Sequence, residues 1–381
     1  MQTASPETGG ANGTAAGPAQ PQQAVAAARR HLPRVLMVHT GGTLGMDPAR
    51  SYQMDPEGHL ELKQGTGGEY LPGLQPSAML ANVLTAVPEL GSLAQIDLKV
   101  VFNKDSSNVV PEDWVALAQL LDAARDDYAA AVIVHGTDTM AYTASALSFM
   151  LAGYGKPIVL TGSQIPLAMP RSDARQNLID SLTCAVASHA PPHVALQEVS
   201  ICFGGRLLRG NRATKWNSTL YQAFDSPSYP ALASLGVEIE WAREALLQGG
   251  RQPYTPRLAL DPRVMRVPIV PGSDPRVAYG DLYGRGVRGV VLEAFGVGNM
   301  PDQDGWLEWL AEQRQRGLQV YLRSQSSVGA LRPELYRAGA TALRLGVQAG
   351  PQLTAESAVA KMMLCLKFPE ISLATPLAGE V

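Results

Sequence analysis

The chain has 381 residues, of which 46% are hydrophobic and 17% are charged. That length favours two or three domains with well-filled cores. The formal net charge of -3 argues against a nucleic-acid surface or a polybasic membrane anchor. No apolar run approaches the ~20 residues that span a bilayer. Three scattered cysteines supply neither a disulfide framework nor a metal-binding spacing.

The first 30 residues differ in composition from the rest of the chain. Ala, Gly, Pro and Gln occupy 20 of these 30 positions, so the segment cannot bury enough apolar surface to offset its ordering entropy. We therefore expect residues 1–30 to form a disordered extension. No basic segment precedes an apolar one there, so a secretory signal is not expected and the protein is predicted to be cytoplasmic.

Short apolar runs that end in polar side chains are typical of buried parallel strands. One such run, residues 35–38, is followed by Thr40, and another, residues 131–134, is followed by Thr137 and Asp138. Open α/β sheets place their chemistry at the carboxyl edge of the strands. We therefore predict one site assembled from both strand ends.

A long connection follows the first strand. Residues 45–76 contain six Gly and four Pro with little periodicity, which is typical of a functional lid or a disordered segment. Tyr52 lies in it, either as a lid residue over a pocket or as an ordinary surface tyrosine. Both interpretations are open on the sequence alone.

The remaining pattern alternates strands with helices. Ser172 and Asp173 stand at the start of a predicted helix, and capping of that helix is enough to explain both polar residues. A segment rich in proline and glycine, residues 226–263, is predicted to be an interdomain linker. The predicted strands are 96–102, 156–160, 194–203, 206–209, 287–295 and 318–322, and the predicted helices begin at Pro111 or span 139–151, 302–316 and 354–366.

This alternation predicts an α/β fold with two parallel-sheet domains, a larger N-terminal Rossmann-like domain and a smaller C-terminal one. The boundaries are expected at residues 31–225 for the first domain and 264–381 for the second.

No zinc-protease, Walker, dinucleotide or serine-elbow motif is found in the sequence, and no metal site is expected. Thr, Ser, Asp and one Lys recur at the strand ends instead. A threonine hydroxyl can attack an amide if a base accepts its proton, and a lysine can be that base if its proton is shared with a carboxylate network. Lys215 stands out because the chain has 24 arginines and only seven lysines.

Each of these residues also has a structural explanation. Lys215 could be a surface lysine, and Asp138 could cap the helix that follows it. Gly41 and Gly42 could supply N–H donors to an oxyanion, or they could form a tight turn or a phosphate-binding nest. The residues by themselves indicate a hydrolase or a binder of small anions.

Several segments in order closely resemble the bacterial L-asparaginase family, and the cytoplasmic type I branch is the nearest. The similarity extends from about residue 33 into the second predicted domain and weakens after about residue 330. The matching segments are Thr40-Gly41-Gly42-Thr43, His135-Gly136-Thr137-Asp138-Thr139, Thr161-Gly162-Ser163-Gln164, Arg209-Gly210-Asn211-Arg212, Thr214-Lys215 and Gly296-Val297-Gly298-Asn299.

The resemblance implies roles for several residues, including Tyr52, which matches a tyrosine of the family's lid, and Ser106 and Ser107, which match its polar substrate-binding turn. Thr40 would be the acylated nucleophile, assisted by Tyr52 from a closing lid. Thr137, Asp138 and Lys215 would activate the attacking group or water. The substrate would be held by these residues: Gly41, Ser106, Ser107, Thr137, Asp138, Ser163 and Asn299.

The assembly and the substrate are also expectations from this resemblance. Asn299 would reach a neighbouring subunit's site, which implies a homodimer or homotetramer with shared active sites. The leading hypothesis is cofactor-free hydrolysis of L-asparagine to L-aspartate and ammonia. The alternatives are a dual-specificity glutaminase-asparaginase, an ammonia-supplying relative of a tRNA-dependent amidotransferase and a non-catalytic amino-acid sensor. No strong basic patch supports the amidotransferase, and the intact hydroxyls and lysine argue against the sensor.

Overall fold

The computed structural model describes residue 1 and residues 31–42, 52–54, 60–62, 76–248, 253–303 and 305–380. Residues 2–30 of the predicted N-terminal extension therefore lie outside the described residues, as does most of the long connection after the first strand. Within that connection, two short segments pair antiparallel, with Tyr52 opposite Leu62.

The described chain alternates strands and helices, as predicted. The strands are β1 Arg34–Gly41, β2 Tyr52–Met54, β3 Leu60–Leu62, β4 Gln95–Lys104, β5 Ala130–Val134, β6 Ile158–Thr161, β7 Val199–Phe203, β8 Arg206–Arg209, β9 Thr214–Lys215, β10 Phe224–Asp225, β11 Ala233–Leu235, β12 Ile239–Trp241, β13 Val264–Pro268, β14 Gly289–Ala294, β15 Gln319–Ser324 and β16 Gln348–Ala349. The helices are α1 Pro76–Ala86, α2 Leu90–Leu93, α3 Pro111–Ala123, α4 Met140–Met150, α5 Ala174–Ala185, α6 Pro275–Ala278, α7 Trp306–Gln315, α8 Arg337–Arg344 and α9 Ala355–Lys367. No helix in the described part of the chain is long and apolar enough to cross a bilayer.

The first domain is built on a sheet with the strand order β12-β11-β8-β7-β6-β5-β1-β4. The five strands from β4 to β7 are parallel, and β1 lies between β4 and β5. The chain therefore builds outward from β1 in one direction to β4 and in the other through β5 to β7. Such a reversal is the switch point at which open α/β sheets bind ligands, beyond the carboxyl ends of the strands.

The apolar run of β1 explains why this strand is central. Val35 and Met37 pack into the core on one face of the sheet, and Leu36 and Val38 pack into the core on the other. All four are at most 1% exposed. A strand covered by helices on both faces needs this continuous apolar sequence.

The second domain has a smaller, wholly parallel sheet with the order β13-β14-β15-β16. Its own core includes Trp306 and Trp309 of α7. Helix α9 joins the two domains, because its Met362 and Leu364 lie in the same core as Phe149 of α4. Each such buried side chain contributes about 1.5–3 kcal/mol to the free energy of folding, so the domains share a substantial apolar interface.

Two details of the predicted fold are corrected. The first sheet is mixed, because β8, β11 and β12 are antiparallel to their neighbours. The predicted linker, residues 226–263, contains β11 and β12, so its first part completes the sheet of the N-terminal domain. Pro230, Gly236 and other turn-forming residues around these strands obscured their short patterns.

Candidate active site

Thr40 lies at the carboxyl end of β1 and faces the adjacent strand. Its side-chain hydroxyl donates to the carbonyl of Val134, the last residue of β5, at 3.0 Å. Thr40 is 1% exposed. The contact is possible because β1 and β5 are parallel neighbours, so their carboxyl ends lie at the same edge. The predicted nucleophile is therefore located at the switch point.

Gly41 and Gly42 allow the backbone after β1 to approach the backbones at the ends of β4 and β5 closely at this edge of the sheet. Gly41 and Gly42 have φ values of +113° and +83°, which L side chains rarely adopt. A Cβ on Gly41 would lie 2.1 Å from the carbonyl oxygen of Lys104, and one on Gly42 would lie 2.6 Å from the Cα of Gly136. The turns after β1, β4 and β5 are therefore in direct contact.

Lys215 connects two other predicted catalytic residues, Thr137 and Asp138. Its Nζ donates to Thr137 Oγ1 at 2.9 Å and lies 2.5 Å from Asp138 Oδ1. The lysine side chain is 18% exposed and the aspartate side chain 63%. Asp138 therefore pairs with a lysine and does not cap the helix, and Lys215 is a contact partner of the β5 turn.

Strand β9 carries Lys215 to this position. It pairs antiparallel with β10, so that Lys215 lies opposite Phe224. A single turn, Gly210–Arg212, precedes β9. Thr214 Oγ1 donates to Glu356 Oε1 of α9 at 2.7 Å, which ties the strand to the second domain.

The predicted substrate-binding serines lie in the turn after β4. Ser106 is buried, and its Oγ accepts the backbone N–H of Asp138 at 3.2 Å while its carbonyl accepts the hydroxyl of Thr139 at 2.7 Å. Ser107 is exposed and donates from both its backbone N–H and its hydroxyl to Asp105. Ser106 therefore supports the Asp138 turn, and Ser107 remains accessible beside it.

Ser163 follows β6 at the same edge of the sheet. Its hydroxyl is buried and has no hydrogen-bond partner within the described residues. The next turn is held by Asp173, whose carboxylate accepts the backbone N–H groups of Gln164 at 3.0 Å and Ile165 at 3.1 Å. The prediction that Asp173 caps its helix is therefore wrong, whereas the Oγ of Ser172 does accept the N–H of Ala174 at the helix start.

His135, a buried residue to which the sequence analysis assigned no role, is hydrogen-bonded within the turn that follows β5. Trp114 Nε1 donates to Thr143 Oγ1 at 2.9 Å, so the hydroxyl of Thr143 is free to donate to Nε2 of His135, 3.0 Å away. Nδ1 of His135 then carries the proton and donates to the carbonyl of Gly136 at 2.7 Å. Burial lowers the pKa of His135 to about 4, so the ring is neutral near neutral pH.

Two predicted site residues are less completely described. Tyr52 lies in β2, and its side chain is outside the described part of the chain. Asn299 follows β14, and its carboxamide oxygen accepts the N–H of Met300 at 2.9 Å, a contact within the second domain. The roles assigned to both residues stay predictions.

A separate cavity of about 450 Å³ lies between the two domains. Arg266 and Arg323 both bond to Glu293 there, at 2.9 and 2.7 Å. The cavity is lined by Thr214 but by none of the predicted site residues. Across the described ranges, no cluster of His, Cys, Asp and Glu side chains is suited to hold a metal ion.

Together, the fold and the site define a two-domain α/β protein with two threonines, a lysine and a carboxylate at the switch point of its larger sheet. Comparisons with known proteins identify the family. Residues 34–247 match the family model "Asparaginase, N-terminal", and residues 263–370 match "Glutaminase/Asparaginase C-terminal domain". The chain belongs to the asparaginase family, which confirms the resemblance and the prediction of an asparaginase-type hydrolase.

Individual relatives cover most of the chain. L-asparaginase 1 of Escherichia coli is 34% identical over 333 residues, which are 86% of this chain and 90% of that protein. The crystal structure of L-asparaginase I from Vibrio cholerae matches with a TM-score of 0.74 at 30% identity, covering 92% of this chain and 99% of that one. The thermostable L-asparaginase from Thermococcus kodakarensis matches with a TM-score of 0.73 at 29% identity, covering 91% and 99%.

Proposed function

We propose that this protein hydrolyses L-asparagine to L-aspartate and ammonia through an ester on Thr40. The observation that carries the proposal is the contact of Lys215 with both Thr137 and Asp138, next to the strand end that bears Thr40. The three segments are distant in sequence and meet at the switch point. Membership of the asparaginase family supports the same reaction class.

In the proposed first step, the Thr40 oxygen attacks the side-chain amide carbon. The hydroxyl proton leaves its hydrogen bond to the carbonyl of Val134 for a base. The carbon–nitrogen bond then breaks as the leaving amide nitrogen takes up this proton and departs as ammonia. Backbone N–H groups near Gly41 are proposed to stabilise the tetrahedral oxyanion, and one such donor is typically worth ~10²–10³ in kcat. Tyr52 is proposed to assist Thr40 when the lid closes.

In the second step, a water molecule adds to the ester carbonyl. The hydroxide from this water becomes part of the aspartate carboxylate. The ester bond to the Thr40 oxygen breaks, and that oxygen takes up the proton that the water lost. Thr137 and Lys215 are proposed to orient and deprotonate this water, with Asp138 sharing the lysine proton. A lysine suits this role because its amine can lose a proton, which a guanidinium does not do in proteins.

Recognition of the substrate is proposed to use groups around this centre. The carboxylate of Asp138 would pair with the substrate ammonium group, and Ser106, Ser107 and Ser163 would contact its polar ends. Asn299 would reach the site of a neighbouring subunit in a cytoplasmic homodimer or homotetramer. No cofactor is required by this scheme.

Glutamine is the second candidate substrate, because the C-terminal family model is described for both glutaminases and asparaginases. The two amides differ by one methylene, which a pocket discriminates by only ~1–3 kcal/mol. We expect asparagine to be preferred and glutamine to be hydrolysed more slowly.

The proposal is tested by measuring ammonia release from both amides by the purified full chain. Thr40→Ala and Lys215→Met should each reduce turnover by several orders of magnitude, since they remove the nucleophile and the base. Thr85→Ala and Lys99→Met are matched controls at exposed positions and should behave as wild type. Equal rates for wild type and Thr40→Ala would eliminate the assigned nucleophile, and binding without turnover by wild type would favour a sensor.

A further inference from the structure

A buried ion pair holds the C-terminal tail, residues 372–380, against the last helix. Lys361 Nζ lies 2.6 Å from Glu380 Oε1, and both side chains are 0% exposed. The same ammonium group donates to the carbonyls of Leu373 at 3.0 Å and Thr375 at 2.6 Å. All three of its N–H groups therefore have acceptors.

The carboxylate of Glu380 is equally well satisfied. It accepts the backbone N–H groups of Leu377 at 2.8 Å and Ala378 at 2.7 Å. Removing two charges from water costs several kcal/mol per ion, and an apolar pair of similar size is often as stable. Stability alone is therefore a weak reason to bury this pair, and its contacts suit a role in fixing one position of the tail.

The tail is in turn bonded to the segment that leads into β9. The side chains of Arg209, Asn211 and Arg212 are at most 6% exposed. They donate at 2.6, 2.9 and 2.7 Å, respectively, to the carbonyl oxygens of three successive tail residues: Gly379, Ala378 and Glu380.

This segment ends three residues before Lys215, and the intervening Ala213 is fully buried. β9 is also anchored by its pairing with β10 and by the bond from Thr214 to Glu356. Glu356 lies in the first turn of the helix that also carries Lys361. Helix α9 thus restrains the Lys215 strand directly through Glu356 and indirectly through the tail.

We propose that Lys361 and Glu380 are positioning residues that hold Lys215 against Thr137 and Asp138. The proposal rests on the function proposed above, in which Lys215 belongs to the catalytic set. The contacts of Lys215 at 2.9 and 2.5 Å leave little tolerance, and a displacement of about 1 Å in an active site can cost ~10²-fold in rate. Neither residue of the pair needs to contact the substrate.

The test uses the full chain with Glu380→Gln, Lys361→Met and the double variant that carries both changes. The single variants leave one charge buried without its partner, whereas the double variant removes both charges and should recover most of the lost stability. Glu370→Gln makes the same chemical change at an exposed position near the tail and is the matched control. Three quantities are measured for each protein: the melting temperature, kcat and KM for asparagine, and amide hydrogen exchange of residues 211–216.

We expect kcat to fall ~10–100-fold in the double variant, at a temperature at which it is fully folded. KM should change less than about threefold, since the substrate-binding groups stay in place. Hydrogen exchange of residues 211–216 should accelerate while that of β1 and β5 stays the same, and Glu370→Gln should match wild type in all three measurements.

Wild-type kcat in a folded double variant would overturn the proposal, because the pair would then act on stability alone. Unchanged exchange of residues 211–216 would overturn it as well. Amide hydrogen exchange of residues 211–216 reports on the strand that carries Lys215 whether or not the protein hydrolyses asparagine. A wild type without amidase activity would therefore refute the proposed function, while exchange would still decide whether the pair positions Lys215.

Discussion

Protonation of His135 should destabilise the fold in mildly acidic solution. Burial lowers the pKa of His135 to about 4, whereas a histidine in an unfolded chain titrates near ~6.5. Between these values the unfolded state binds the proton and the folded state does not, so stability falls as the pH falls through this window. At about 1.4 kcal/mol per pH unit, the full loss approaches roughly 3 kcal/mol.

The assay is urea denaturation followed by circular dichroism, at pH about 7 and about 4.5, for wild type and His135→Gln. Glutamine can still accept from Thr143 and donate to the carbonyl of Gly136, but it does not titrate. Wild type should lose about 2–3 kcal/mol more than the variant between the two pH values. His189→Gln, at an exposed position, should behave as wild type. Parallel losses in wild type and His135→Gln would refute the reasoning.

Two further substitutions test the geometry of the strand ends. Gly136→Ala would place a Cβ 2.7 Å from the Ser106 side chain. We therefore expect the free energy of unfolding to fall by about 1–3 kcal/mol from overpacking and kcat to fall at least ~10-fold. Unaltered kinetics would show that the turns after β4 and β5 separate freely. Asp173→Asn would turn an amide N–H donor towards the backbone N–H of Gln164. Amide hydrogen exchange in the turn after β6 should therefore accelerate, and the free energy of unfolding should fall by about 1–3 kcal/mol. An unchanged exchange rate would show that the carboxylate does not hold this turn.

The central strands could be predicted from the sequence because their apolar runs are short and end at turn-forming residues. Residues 35–38 are covered on both faces, as is typical of a parallel strand between helices. Thr40 and Thr137 could be placed at one edge for the same reason, since parallel strands end on the same side. The family resemblance added the roles, which spacing alone did not determine.

Other features depend on contacts between distant parts of the chain. Asp173 has a sequence position that suits a cap, but its carboxylate bonds to Gln164 nine residues upstream. Strands β11 and β12 have three residues each, which is too short for periodicity to distinguish them from a linker. The pairing of Lys361 with Glu380 has no local signal, because a lysine on a helix is usually solvated.

The most direct test of the threonyl-ester mechanism is rapid acid quenching of the enzyme during turnover of L-asparagine, followed by peptide mass spectrometry. The account predicts an aspartyl ester on the peptide that contains Thr40, which should accumulate in Lys215→Met if that lysine serves the hydrolysis step and should be absent in Thr40→Ala. An ester on Thr137 instead, or turnover by Thr40→Ala at the wild-type rate, would contradict it.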